Sequence, residues 1–212
     1  MERLKIKPIK QENKFDCGPT CIAMISDYYK FKIDYSLFLK NIIRNDGKVN
    51  IFYLAKALKT TNKNLKIKIS FFNFKYFDVN FNKLSKDEKI KYMTKIKTED
   101  LDYFTLTAIK RCIYDDIEIE HKLFGVDDLQ KRLLEKNPVI TLVSVQDFRE
   151  IKSEEWRGHY IVVNGFHNNV FYYTDPHWEA NKFGEHNIKS EKLLISIAKT
   201  RFPAFLEILN GS

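Results

Sequence analysis

The chain has 212 residues, 44% of them hydrophobic and 14% aromatic, which is enough for one domain with a core of its own. Its formal charge of +8 comes mainly from lysine, 29 of 36 basic residues, spread among Asn, Ile, Phe and Tyr; arginine, the better fork for phosphate and guanine, occurs only seven times, so the pattern points away from nucleic acid as a partner. No apolar run reaches the length of a membrane span or a signal-peptide core, and three cysteines without a disulfide framework suit a reducing compartment, so the expectation is a soluble, cytoplasmic protein.

The first informative stretch is QENKFDCGPTC, from Gln11 to Cys21. The run that follows places Cys21, Met24, Ile25 and Tyr28 at spacings of three and four, and Pro19 suits a first turn, so a helix is predicted to begin at Cys17. A second helix is expected around Ile51, Leu54 and Leu58, then a strand in LKIKISFFNF. From Leu84 to Tyr114 the chain is charged and helical in pattern, and reads as part of an insertion around residues 60–120. Val126, Leu129 and Leu133 recur at helical spacing behind Asp127 and Asp128, which suit a helix start, and Pro138 ends that helix. Beyond it the chain turns apolar and β-branched, with strands expected in PVITLVSV, GHYIVVNGF, VFYYTDP and AFLEIL. Helices first and strands later give an α+β expectation: one domain over residues 1–212, with a mainly helical lobe (1–137) packed on a mainly antiparallel β lobe (138–212).

Cys17 is the candidate nucleophile, because a helix N-terminus lowers a thiol pKa and Gly18-Pro19 put the cysteine at such a start. A base and a group to orient it must come from elsewhere. His159 opens one strand and Asp175 closes the next. A three-residue hairpin loop, His167-Asn168-Asn169, would pair Phe166 with Val170 and set His159 and Asp175 on one face, diagonal and about 7–8 Å apart at the backbone; a two-residue loop would set them on opposite faces. Gln11, six residues before the cysteine, can offer a side-chain N–H to an oxyanion beside the backbone N–H of Cys17. His177 is expected to neighbour the site and line it, and Trp156 to wall the cleft or join the core. Cys21 and Cys112 read as packing residues, and His121 and His186 as surface. With one Cys pair and no further zinc ligands beside it, no metal or other cofactor is expected.

Together, QENKFDCGPTC, GHYIVVNGF and TDP resemble the papain-like double-glycine peptidases that process bacteriocins, and in particular their stand-alone relatives without transporter domains. The resemblance implies a papain-like fold in which the N-terminal helical lobe carries the nucleophile helix, a catalytic set of Cys17, His159, Asp175 and Gln11, and a peptide or protein substrate cut at a peptide or isopeptide bond. The same residues would also serve an acyl- or aminoacyl-transferase, and an inactive peptide-binding module could share the fold. Trapping the acyl-enzyme and comparing its decay in water with its decay on added amines separates the hydrolase from the transferase.

Overall fold

The structure is a computed structural model and describes residues 3–97, 100–150 and 157–209. Among the described residues the helices and strands run α1 (Cys17–Tyr29), α2 (Tyr35–Asn41), α3 (Ile51–Thr61), β1 (Lys66–Phe71), α4 (Lys86–Lys95), α5 (Asp100–Tyr114), β2 (Glu118–His121), α6 (Val126–Leu134), β3 (Val139–Ser144), α7 (Val145–Arg149), β4 (Gly158–His167), β5 (Val170–Asp175), β6 (Gly184–Lys189), α8 (Ser190–Ala198) and β7 (Ala204–Leu209). The strands form one sheet in the order β2-β1-β7-β3-β4-β5-β6. Only β1 and β2 pair in parallel; the other neighbours are antiparallel. The C-terminal strand β7 lies between β1 and β3, so it ties the two strands of the N-terminal stretch to those that follow residue 138.

Side chains along a strand alternate between faces, and β4 shows what that does here. Tyr160 and Val162 enter a larger apolar cluster with Cys21, Met24, Leu54 and Ile109 from α1, α3 and α5. Ile161 and Val163 enter a smaller cluster with Leu129, Leu133, Leu193 and Ile197 from α6 and α8. Apolar burial on both faces explains why β3 and β4 read as nearly unbroken hydrophobic runs.

Helix ends follow local chemistry. Asn50 caps α3 by accepting the Tyr53 N–H at 2.9 Å. Ser85 and Glu88 close a reciprocal box at the start of α4. At α6, Asp128 accepts the Gly125 N–H at 2.9 Å, the helix-start role expected of the Asp127-Asp128 pair. The sequence pattern missed α2, α7, β2, β6 and α8. One residue needs correcting: His121, read as surface, is 3% exposed, accepts the Asn73 N–H at Nε2 and packs against Phe71 and Phe77. Burial pushes its pKa below the usual value.

Candidate active site

Cys17 is the first residue of α1, where backbone N–H groups lack helical acceptors and the helix dipole favours negative charge. The loop before it is pinned by Asp16, which accepts from Asn13 Nδ2 at 2.8 Å and from Arg44 Nη2 at 2.7 Å. Arg44 also donates through Nη1 to the carbonyls of Phe15 and Gly47, at 3.1 and 2.9 Å, joining the cysteine loop to the turn across the cleft. Gly18 is required by contact: a Cβ there would stand 3.1 Å from Cδ2 of Tyr160 and 3.4 Å from Leu54. Its absence lets the start of α1 settle directly on β4.

The histidine and aspartate come together by a route the sequence reading did not foresee. The hairpin loop has two residues, not three: His167 pairs with Val170, and Asn168 and Asn169 form the turn with φ of 47° and 61°. Two successive left-handed residues make the turn type that suits a twisted hairpin and favours asparagine. By itself this register would put His159 and Asp175 on opposite faces. A bulge on β4 restores the parity, because Gly165 pairs with Tyr172 but Val163 with Tyr173, leaving Asn164 as the extra residue. His159 Nε2 accordingly meets Asp175 Oδ1 at 2.7 Å, with both residues buried.

With Nε2 committed to the carboxylate, the other ring nitrogen of His159 is left for the Cys17 thiol, which lines the same cleft. Burial alone would raise the Cys17 pKa, but the hydrogen bond and charge of His159, aided by backbone N–H groups of Tyr160 and Gly18, outweigh it and hold the thiol below its ordinary value. Burial would likewise lower His159, yet Asp175 and Cys17 together raise it to about 9. Both shifts favour the thiolate–imidazolium form of the pair.

Asp175 has partners on both oxygens. Burial works against its charge, but hydrogen bonding to His159, the charges of His159 and Arg149, and the N–H of His177 at 2.9 Å hold the carboxyl below its usual range. Arg149 donates from Nη2 to Oδ2 at 2.7 Å. Sequence reasoning missed Arg149, whose only signal was a polar five-residue helix after a strand.

Gln11 is 3% exposed, lines the same cleft as Cys17 and His159, and is tied by its own N–H to the Pro176 carbonyl at 2.7 Å. Its Nε2 donates to the carbonyls of Asn13 and Lys14, at 2.8 and 3.3 Å, while Oε1 is buried without a hydrogen-bond partner among the described residues. The amide therefore braces the cysteine loop at rest. His177 lines the cleft, with its ring 5.4 Å from that of His159, and Nδ1 accepts the Glu179 N–H at 3.0 Å. Burial first, then the charges of Arg149 and His159, lower it to about 4, so it is neutral. Trp156 lies outside the described residues. Cys21 and Cys112 are fully buried, and burial raises both thiols, as suits packing residues. The cleft has a volume of about 460 Å³, and the half-exposed rings of Phe15 and Trp178 stand on its wall. Among the described residues, no group of three or more His, Cys, Asp or Glu converges as a metal site would.

A model of the Peptidase_C39-like family matches residues 3–202. No curated protein sequence matches the chain significantly. Among solved structures, a C39-like peptidase from Bacillus anthracis aligns at a TM-score of 0.55 and 13% identity, over 100% of both chains. That likeness is one of fold, and with the family match it makes the α+β architecture papain-like. A double glycine motif protease from an AMS/PCAT transporter, solved with a leader peptide, has a TM-score of 0.49 at 16% identity, over 98% of this chain and 94% of its own. The peptidase domain of Streptococcus ComA, a bifunctional ABC transporter of a quorum-sensing pathway, also scores 0.49, at 15% identity over 97% of this chain and 100% of its own. Both are too distant to bear on this site.

Proposed function

The chain belongs to the Peptidase_C39-like family, and from that premise we propose that it is a cysteine peptidase hydrolysing a peptide or isopeptide bond. The observation that carries this reading is that Cys17, at the start of α1, and His159, hydrogen-bonded to the buried Asp175, open on one cleft. In this mechanism the Cys17 thiolate attacks the carbonyl carbon, forming a C–S bond as the carbonyl π electrons move to oxygen. The oxyanion takes a hydrogen bond from the Cys17 N–H and one from Gln11, whose longer bond to Lys14 gives way. The intermediate collapses, the C–N bond breaks, and His159 protonates the departing amine. Water, deprotonated by the now neutral His159, then cleaves the thioester and regenerates the thiolate–imidazolium pair.

Asp175 holds the imidazole so that one nitrogen faces the sulfur, and Arg149 and the His177 N–H keep that carboxylate charged. The aromatic rims of the cleft, with Lys14 and Lys48 beside them, support a peptide as the molecule bound. A continuous sheet from β2 to β6 supports reading the chain as one peptidase domain. A peptide-library screen on the wild type and on Cys17→Ala tests the proposal. New termini with the first and none with the second are expected, and a library left intact by the wild type would count against it.

A further inference from the structure

The bulge on β4 decides whether the site can exist, and it is a built feature. A two-residue turn fixes the pairs His167–Val170, Phe166–Phe171 and Gly165–Tyr172. Continued without interruption, that register would set Asp175 across from Val162, on the face that belongs to Tyr160 and α1. The observed pairs beyond the bulge are Val163–Tyr173 and Val162–Thr174. One step further, Asp175 comes opposite Ile161 and diagonal to His159, on the face of Val163 and Phe171. Keeping Asn164 out of the ladder thus leaves the carboxylate on the histidine's side of the sheet.

That residue is held on three sides. Asn164 is fully buried; its carbonyl accepts the Leu4 N–H at 2.8 Å, and its Nδ2 donates to the Leu4 carbonyl at 3.1 Å and to Thr174 Oγ1 at 3.2 Å. The paired bonds to Leu4 make the N-terminal segment a short stand-in for the ladder that the bulge interrupts. Gly165 makes room for it, since a Cβ there would lie 3.2 Å from the Arg3 Cα. Arg3 in turn ion-pairs with Glu185 of β6 and lies over the Tyr172 ring. From this anchor the segment runs to Gln11, whose N–H is tied to Pro176, one residue past Asp175.

We propose that Asn164 is a positioning residue: clamped by Leu4, it is held out of the β4–β5 ladder, which keeps the register in which His159 and Asp175 share a face. This rests on the catalytic reading of that pair, but it can be read without peptidase activity. Asparagine suits the position because its amide supplies the hydrogen bonds that a bulged, buried backbone loses to its neighbours.

The test separates the clamp from the residue that needs it. Deleting Asn164 leaves Val163 opposite Tyr173 and Ile161 opposite Asp175, so a folded deletion variant should keep the wild-type rate and pH profile of Cys17 alkylation by iodoacetamide. A folded deletion variant alkylated about tenfold or more slowly at pH 7 would overturn the proposal. Asn164→Gly keeps the extra residue and loses only the amide clamp, so it leaves that residue free to enter the ladder. It should weaken the downfield Nε2–H proton signal of His159 and slow alkylation several-fold, and an unaltered signal and rate would overturn the proposal. A wild type that cleaves no peptide yet keeps an activated Cys17 would count against the peptidase reading while leaving the role of Asn164 intact.

Discussion

Arg149 donates from Nη2 to Oδ2 of Asp175 at 2.7 Å, and the two side chains are only 13% and 2% exposed. The hydrogen-bonded pair of His159 and Asp175 therefore extends to a further residue, and the carboxylate that orients His159 is itself oriented. Arg149→Leu leaves a buried carboxylate oxygen without its cation, and a loss of about 3 kcal/mol in unfolding free energy is predicted. Without the guanidinium the Asp175 pKa rises, so the acid limb of catalysis should move to higher pH. Arg149→Lys should recover part of the stability, since it restores the charge but not the fork. Denaturant melts and a pH profile check both, and unchanged values in Arg149→Leu would contradict the assignment.

Gln11→Ala separates oxyanion binding from nucleophile activation. Alkylation by iodoacetamide passes through no oxyanion, so the variant should keep the wild-type rate of Cys17 modification. Peptide cleavage should fall on the order of 10²–10³-fold in kcat. Because the amide also braces the carbonyls of Asn13 and Lys14, a stability loss of about 1 kcal/mol should accompany it. Equal losses of alkylation and cleavage would mean that Gln11 serves only the loop.

His177 should give the fold a defined sensitivity to acid. Its pKa is about 4 in the folded protein against an ordinary 6.5. Between those values the unfolded chain holds a proton that the folded chain lacks, so this stability is fully present above pH 6.5 and is lost as pH falls toward 4. The Tm of the wild type should decline across that window, and His177→Asn should flatten the decline. An equal slope in the two proteins would show that other groups cause it.

Gly18→Val tests the seating of α1 on β4. The added branches meet Tyr160, whose hydroxyl is fixed to the Val49 carbonyl at 3.1 Å, so the ring cannot easily yield. A loss of about 1–3 kcal/mol is expected from overpacking. Cys17 should also lose reactivity as the helix start lifts away, and a variant as stable as the wild type would contradict the contact.

The candidate site was legible in the sequence where residue type and local setting suffice. Cys17 beside Gly18-Pro19 announced a helix start, and His159 and Asp175 marked strand ends. The register between them was not legible. A bulge shows in a strand whose faces differ in polarity, because the alternation slips; in IVVNGF both faces are buried, so the slip leaves no mark. The expected three-residue loop reached the right face through the wrong turn. Arg149 was hidden because its bond to Asp175 crosses 26 positions from a helix too short to show a period. Strands β2 and β6 lie at the sheet edges; β2 alternates in burial but over only four residues, and β6 buries only Ile188, so neither shows a long apolar pattern.

The most direct test is the pH–rate profile for alkylation of Cys17, with modified residues identified by mass spectrometry. The Cys17–His159 pair predicts modification at Cys17 alone of the three cysteines, a high rate through neutrality, an acid limb below the range of an ordinary thiol, and an inflection near pH 9 as His159 loses its proton. In His159→Ala the acid limb should move up to the range of an unassisted thiol. A wild-type profile that rises only in that range, unaltered by His159→Ala, would contradict the activated nucleophile on which the account depends.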